Sequence, residues 1–368
     1  MSVSSGRAAG PSTAARRAAW FLPLAATVVW LVAVAADGSL GRVAGHWVAA
    51  VTMLFGSFLA GSSPEGGGAV AFPVLTKGLH VPSEVARSFG LFIQAVGMTM
   101  AVATVVLMRR ALHVRAAIVA TVAAIVGFLS SVAIWGQAGT VYWPSSVGTP
   151  WIKATFSIVL ATTAFLMVRH EGSDDDGTNP EWTGRHTVGL VVVAVAGGFL
   201  SSLTGTGANI MVFLFLVVLV GVRAKVALPT AILVMAAVSL VGLVLFGIID
   251  GQLDVAVIGD RVVRVGGEPV DLPAAETDVL GLWLAAVPVV VWGAPLGSWL
   301  ASRVSEHTLV RFVAVLAGFE VLTTFILVRE LRSDPSLILF FVGGLVVMPT
   351  LFLAVRSRRE RVFGSSGA

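Results

Sequence analysis

Cysteine and charge are scarce in this chain of 368 residues, and each scarcity narrows what the protein can be. There is no cysteine, which excludes disulfides, thiol chemistry and thiolate metal sites. Charged residues make up only 12% of the chain, and the net charge of +4 is spread over short basic clusters, so nucleic-acid binding is not indicated. Apolar residues are abundant instead: 57% of the chain is hydrophobic and the mean hydropathy is +0.93.

Long apolar runs predict membrane helices, because about 20 helical residues cross a bilayer. A chain of this length has room for roughly ten to twelve such segments and for no large soluble domain. We therefore predict an all-α, polytopic integral membrane protein. The first run, residues 18–36, is interpreted as an uncleaved helix, although Val34-Ala35-Ala36 leaves signal-peptide cleavage open. Further segments are predicted near 46–62, 66–79, 84–108, 115–135, 151–168, 187–203, 208–221, 226–249, 279–301, 309–328 and 336–355.

Basic clusters give the orientation in the cell membrane. If the segments alternate, most clusters fall on one side, which the positive-inside rule assigns to the cytoplasm together with both termini. Lys77, Arg87, Arg329 and Arg332 fall on the other side. The clusters on the cytoplasmic side contain Arg16, Arg17, Arg109, Arg110, Arg115, Arg223, Lys225, Arg303, Arg356, Arg358, Arg359 and Arg361.

The chain divides into two similar halves around a polar linker. At an offset of 141 positions, Gly56 matches Gly197 and Phe58 matches Phe199, and the same register holds without gaps through both halves. An odd number of segments separates the copies, which predicts inverted-topology repeats. The predicted parts are 1–45 (tail and first helix), 46–169 (first repeat), 170–186 (acidic cytoplasmic linker), 187–330 (second repeat) and 331–368 (last helix and basic tail).

One loop of the second repeat has a pattern of its own. Residues 250–278 are polar overall but alternate between apolar and polar residues on either side of Gly266-Gly267. Such alternation around a glycine pair is typical of a hairpin. We predict a small exposed β-hairpin on the outer side of the membrane.

Each repeat contains a glycine-rich break inside an apolar run: SSPEGGG at 62–68 and TGTGAN at 204–209. A helix interrupted at membrane depth survives only where protein or a water-filled cavity satisfies its free backbone groups. The second arm of each pair has about 14 residues and reaches only ~21 Å, which favours re-entrant or tilted arms over full spans. Full spans remain an alternative, because both routes return to the same side.

Two helix N-termini at one membrane depth favour a small anion, since their N–H groups and dipoles point toward it. The ligand is therefore predicted to contact both breaks. The serine and threonine hydroxyls are expected to cap the arm that follows, and contact with a ligand is the second role open to them. The predicted binding residues are Ser62, Ser63, Gly66, Gly67, Gly68, Thr204, Gly205, Thr206, Gly207 and Asn209.

Two glutamates are candidates for coupling transport to protons. Glu65 lies in the first break, where an ionised carboxylate would repel an anion and a protonated one would admit it. Glu320 lies midway along the segment 309–328, where it must be protonated, paired or facing a cavity. Each glutamate also has a simpler explanation. Glu320 is then a neutral acid that is hydrogen-bonded between helices, and Glu65 is a residue at the tip of the break that lies in water.

The breaks resemble those of a known family. SSPEGGG followed by AFPVL at 71–75, SSLTGTG at 201–207 and GAPLGSWLA at 293–301 are similar to motifs of the TauE/SafE family of sulfite and sulfonate exporters. The resemblance covers residues 46–330 and implies a secondary transporter that exports a small oxyanion. The commoner family pattern has Gly-x-Gly-Gly-Gly at the first break, whereas here Pro64-Glu65 precedes the glycines.

Other functions are weighed against this one. The six histidines fall at loops or segment ends away from the serines of the breaks, so an enzyme is not expected. No metal-ligand spacing and no nucleotide motif is found, so neither a metal nor a cofactor is predicted. An anion channel or an importer of a small organic anion remains an alternative, because convergent dipoles could also line a pore.

Overall fold

The computed structural model describes residues 12–79, 81–135, 149–170, 182–253, 263–265, 268–270 and 278–363, and most of these residues are helical. Three helices continue in a π-helical turn: Gly68–Pro73 through Val74–Gly78, Ala208–Leu214 through Phe215–Val220 and Ala224–Gly242 through Leu243–Ile249. The helices are α1 (Thr13–Ala36), α2 (Leu40–Gly45), α3 (Trp47–Ser62), α4 (Gly68–Pro73), α5 (Ser83–Leu107), α6 (Val114–Trp135), α7 (Thr149–His170), α8 (Gly184–Thr204), α9 (Ala208–Leu214), α10 (Ala224–Gly242), α11 (Val279–Ala301), α12 (Glu306–Leu327), α13 (Glu330–Ser333) and α14 (Pro335–Phe363).

Within the described ranges, eight helices are long and apolar enough to cross a bilayer. Their outer surfaces carry large apolar side chains, such as Phe21 on α1, which is 64% exposed, and Ile248 at the end of α10, which is 67% exposed. An apolar surface of this extent requires a hydrocarbon environment. The predicted all-α, polytopic membrane architecture is confirmed.

The predicted hairpin is present as two short strands. β1 (Val263–Val265) and β2 (Glu268–Val270) pair antiparallel, with Val263 opposite Val270 and Val265 opposite Glu268. Of the loop 250–278 for which the hairpin was predicted, residues 254–262, 266–267 and 271–277 lie outside the described residues. The same is true of residues 171–181, which make up most of the predicted linker.

The backbone repeats itself at the offset read from the sequence. α5 begins at Ser83 and α10 at Ala224, and the π-helical turns of α4 and α9 begin the same 141 residues apart. The residues that precede α5 and α10 share one conformation: Pro82 has φ −54° and ψ 139°, and Arg223 has φ −56° and ψ 138°. The two halves therefore match in local geometry as well as in residue type.

Hydrogen bonds at the ends of the short arms follow the same register. The Val81 N–H donates to the Leu75 carbonyl at 2.9 Å, and the Val222 N–H donates to the Leu216 carbonyl at 2.8 Å. Each bond closes a wide turn at the end of the arm that follows a break. These matched features support the predicted duplication.

The first arms, α3 and α8, each pack against the opposite half. α3 runs along α11, and α8 runs along α6. A side chain at Gly61 or Gly297 would overlap backbone across the α3–α11 contact, and one at Gly127 or Gly198 would do so across the α6–α8 contact. Small residues allow this close approach between membrane helices. α6 and α11 are the fourth helices of the first and second halves. Each half therefore supplies its fourth helix as the packing surface for the first arm of the other half.

Away from this centre, α7, α12 and α14 form a peripheral group. Ala154 and Ile158 of α7 join Leu337 and Phe341 of α14 in a separate apolar cluster. α7 also packs along α12. This group lies beside the first short arm, which is α4 with its π-helical turn.

We predict opposite stability effects for two helical glycines. A Cβ added by Gly61→Ala would meet the Ala294 backbone of α11, so the variant should lose about 1–3 kcal/mol of stability. Gly318→Ala is the matched control, because no atom lies within 4 Å of its added Cβ, and it should gain up to about 1 kcal/mol from helix propensity. Thermal unfolding in detergent measures both. Equal effects of the two substitutions would contradict the packing.

Candidate functional site

The two breaks meet in the interior. α3 ends at Ser62 and α8 at Thr204, and residues 61–68 and 204–209 are all buried. The Thr206 hydroxyl donates to the carbonyl oxygen of Glu65 at 3.2 Å, which joins one break to the other. A Cβ on Gly68 would lie only 3.1 Å from the Thr206 side chain. The sequence positions predicted to form one site are thus adjacent in space.

Glycine is required at three positions of the breaks. Gly66 has φ +74°, Gly205 has φ +78° and Gly207 has φ +143°, all conformations that L side chains rarely adopt. These residues reverse the chain between the arms. Gly67 serves packing instead, because its missing side chain admits the Gly56 carbonyl oxygen of α3 to 3.1 Å from the Cβ position.

The prediction that the hydroxyls cap the following arms is wrong for all four, Ser62, Ser63, Thr204 and Thr206. Ser62 donates to the Phe58 carbonyl at 2.9 Å and Ser63 to the Leu59 carbonyl at 3.1 Å, both in the last turn of α3. A serine hydroxyl in a helix can donate to the carbonyl four residues before it, even where that carbonyl also accepts a backbone N–H, as the Leu59 carbonyl does from Ser63. Ser201 caps α9, accepting from the Ala208 N–H at 2.8 Å.

Thr204 also bonds within its own break. Its hydroxyl donates to the Thr206 carbonyl at 2.5 Å and accepts from the Thr206 N–H at 3.4 Å. The second break is therefore held rigid by its own side chains. Of the four predicted hydroxyls, that of Thr206 is the one that faces across to the other break.

Glu65 is fully buried at the first break. Neither of its carboxylate oxygens has a hydrogen-bond partner among the described residues. Ser63 is the polar side chain near enough to interact with this carboxyl, but its hydroxyl is directed to the Leu59 carbonyl. A buried carboxylate without hydrogen bonds is costly when it is ionised.

Gln94 of α5 connects the two breaks. Its side-chain nitrogen Nε2 donates to the Gly205 carbonyl at 2.7 Å and to the Gly90 carbonyl at 2.9 Å. Its oxygen Oε1 points to the first break and lies 2.9 Å from the Cβ position of Gly66. Asn209 Nδ2 lies at the same distance from that position. Neither Oε1 nor Nδ2 has a hydrogen-bond partner in the described part of the chain.

Arg87, one turn before Gly90 on α5, is buried beside the second break. Its guanidinium donates to the Ser202 carbonyl at 3.4 Å and to the Ser88 hydroxyl at 3.3 Å, and it lies 4.4 Å from the Phe246 ring centre. The Ser202 carbonyl belongs to the last turn of α8. A cation at the C-terminus of a helix compensates the negative end of its dipole.

Glu320 lies in a different cluster, paired with Lys77. Lys77 Nζ donates to Glu320 Oε1 at 2.5 Å and to the Thr324 hydroxyl at 2.6 Å. The Ser157 hydroxyl donates to the same carboxylate oxygen at 2.9 Å. Of the three states open to Glu320 from its sequence position, the structure shows the paired one. The pair ties the end of the first short arm to α7 and α12.

Lys153 lies next to this pair. Its Nζ donates to the Thr76 carbonyl at 3.3 Å, on the π-helical turn that also carries Lys77. The Lys153 side chain therefore turns toward the end of the first short arm. Lys77, Lys153 and Glu320 thus lie together at the end of this arm.

We predict that the Lys77–Glu320 pair is costly to break but not to replace. Glu320→Leu leaves a buried ammonium without its counter-ion and should cost about 3–5 kcal/mol, whereas the double variant Lys77→Met with Glu320→Leu should regain most of that loss. Thermal unfolding in detergent measures the difference.

The pair of Arg42 and Asp278, 2.9 Å apart, is the control: the Arg42 side chain is 25% exposed and Asp278 keeps the Gly281 N–H as a partner, so Arg42→Met should cost less than Glu320→Leu, about 1 kcal/mol. A double variant as unstable as Glu320→Leu alone would contradict the pairing as the cause.

Sequence reasoning missed Gln94, Arg87 and Lys77 as members of these clusters. Each is a polar residue inside or beside an apolar segment, the same signal that drew attention to Glu320. Lys77 and Arg87 were noticed only as exceptions to the charge pattern. Burial explains these exceptions, because residues held inside the protein need not obey a rule about loops.

Fold and site together define a polytopic membrane protein whose two broken helix pairs meet at a buried polar centre. A family model, Sulfite exporter TauE/SafE, matches residues 48–324, and the chain belongs to this family of membrane transporters. No curated protein and no solved structure matches the chain. The match covers both breaks and ends just after Glu320.

Proposed function

We propose that this protein is a secondary transporter that exports a small oxyanion, sulfite or an organosulfonate, across the cytoplasmic membrane by alternating access around the two breaks. The observation that carries this proposal is the direct meeting of the breaks, where Glu65, Gln94 and Asn209 present buried polar atoms that pair with no group in the described ranges. Polar atoms that have no partner in a membrane interior are costly unless a ligand pairs with them. The export direction comes from the family description.

The two halves are proposed to be inverted repeats. α9 with its π-helical turn covers 13 residues, about 20 Å of rise, and is too short to cross a ~30 Å core. A short arm that enters and leaves on one side fits such lengths. In the proposed orientation the first break is entered from outside and the second from the cytoplasm, with both termini cytoplasmic. The reciprocal packing of α3 on α11 and of α8 on α6 supports this arrangement.

Glu65 is the proposed coupling residue. In its ionised form it would repel an anion at the breaks, so that a proton would have to accompany each anion. Glu320 is the alternative. Its pairing with Lys77 makes a structural role the better-supported one, and the proposal therefore assigns the proton to Glu65.

We predict saturable, pH-driven sulfite flux in proteoliposomes. Wild-type protein should accelerate sulfite uptake when a pH gradient is imposed, and Glu65→Gln should abolish the response to the gradient while retaining exchange of sulfite for sulfite. Glu330→Gln, which removes an exposed carboxylate on α13, is the control and should behave like wild type.

The same flux assay separates the remaining alternatives. A current that does not saturate would identify a channel, and wild-type flux that ignores the pH gradient would refute proton coupling. Accumulation of sulfite in cells that express the protein, in place of its loss, would identify an importer.

Thiol labelling tests the proposed topology, and the chain has no native cysteine that would interfere. Ser12→Cys and Ser302→Cys should react with a membrane-impermeant maleimide only after cells are permeabilised, whereas Ser333→Cys should react in intact cells. All three serines are exposed. Labelling of Ser302→Cys and Ser333→Cys from the same side would refute the proposed topology.

A further inference from the structure

The side-chain amides of Gln94 and Asn209 approach one point from two helices. Gln94 Oε1 and Asn209 Nδ2 each lie 2.9 Å from the position that a Cβ on Gly66 would take, so both atoms lie against the Gly66 backbone and close to each other. Both residues are only 1% exposed. An acceptor and a donor that have no partner among the described residues therefore lie side by side at Gly66, between the breaks.

The orientation of the Gln94 amide is determined by its neighbours. Its Nε2 carries two hydrogens, and both are used, toward the Gly90 carbonyl and the Gly205 carbonyl. Rotating the amide by half a turn would place Oε1 against two carbonyl oxygens, which only accept. The free end of Gln94 is therefore its oxygen.

The orientation of the Asn209 amide is determined in the opposite sense. Its Oδ1 accepts from the Gly207 N–H at 3.3 Å, and the Thr206 hydroxyl lies at the same distance, with its one hydrogen shared between Asn209 Oδ1 and the Glu65 carbonyl. A rotated amide would direct its hydrogens toward the Gly207 N–H, which only donates. The free end of Asn209 is therefore its nitrogen, a donor.

The two amides determine which hydrogen-bonding groups a ligand must carry. An oxyanion supplies acceptors for Asn209 Nδ2, but an oxyanion with no proton leaves Gln94 Oε1 unpaired in a buried site. A ligand with its own donor beside the anionic group pairs with both. Sites that hydrogen-bond a ligand hydroxyl discriminate strongly against analogues lacking it.

We propose that Gln94 and Asn209 select oxyanions that carry a hydrogen-bond donor, such as hydrogensulfite or a hydroxyl-bearing sulfonate, over plain alkylsulfonates. This rests on the proposed function and specifies its substrate class. The Met98 methyl group lies 2.7 Å from the same Gly66 position, so the proposal requires this flexible side chain to move when the ligand enters.

The test compares two anions of matched size, hydroxymethanesulfonate and ethanesulfonate, which differ by a hydroxyl in place of a methyl group. Calorimetry on the wild-type protein in lipid nanodiscs should show at least about tenfold tighter binding of hydroxymethanesulfonate, the effect expected from one unpaired buried acceptor. Hydrogensulfite, measured at mildly acidic pH, should also bind more tightly than ethanesulfonate.

Gln94→Met should reduce the ratio of the two affinities to near one. The ratio is informative even if the variant is less stable, because a purely structural loss weakens both anions equally. Thr99→Val, on the same helix, is the control and should keep the wild-type ratio, since the Thr99 hydroxyl donates only to the Ala95 carbonyl of its own helix. Asn209→Asp keeps an oxygen for the Gly207 N–H but loses the free donor, so it should weaken both anions at least tenfold.

The outcomes separate this inference from the proposed function. If the wild type binds both sulfonates equally, or if Gln94→Met keeps the ratio, donor selection is overturned while anion transport stands. If the wild type binds no anion at all, the proposed function fails, and donor selection fails with it.

Discussion

Hydrocarbon offers no partner to a peptide N–H or C=O group, and the interior of this protein is organised around the two places where its helices break that rule. Each break is bonded within its own half and is also tied to the other half. Thr206 of the second break donates to the Glu65 carbonyl of the first, and Gln94 of the first half donates to the Gly205 carbonyl of the second. The breaks are stable because they meet, and their meeting creates the buried polar centre.

The duplication is not symmetric in chemistry. Lys77 at the end of the first short arm forms a buried ion pair, whereas Val218, 141 residues later, packs in an apolar cluster with Val159 and Leu214. Similarly, Leu228 occupies the position that corresponds to Arg87. The buried cations of these contacts, Lys77 and Arg87, thus belong to the first copy.

The fold was largely predictable, because apolar periodicity and length are local properties. The membrane helices, the positions of both breaks, the 141-residue offset and the paired strands β1 and β2 all follow from segment patterns. The hydroxyl capping was mispredicted, because the choice between the preceding and the following turn depends on which backbone group is nearer in the folded chain. Ser62 and Ser63 bond backward for that reason.

The sequence by itself determined the class of protein, the membrane environment and the two glycine-rich breaks, since each follows from composition or from residues adjacent in the chain. Only the tertiary structure decided which groups surround those breaks. Gln94 and Asn209 face one point, and Lys77 finds Glu320, across separations of 115 and 243 residues that no local pattern encodes. Packing of distant helices in a medium without hydrogen bonds makes those partnerships, and a pattern read along the chain does not contain them.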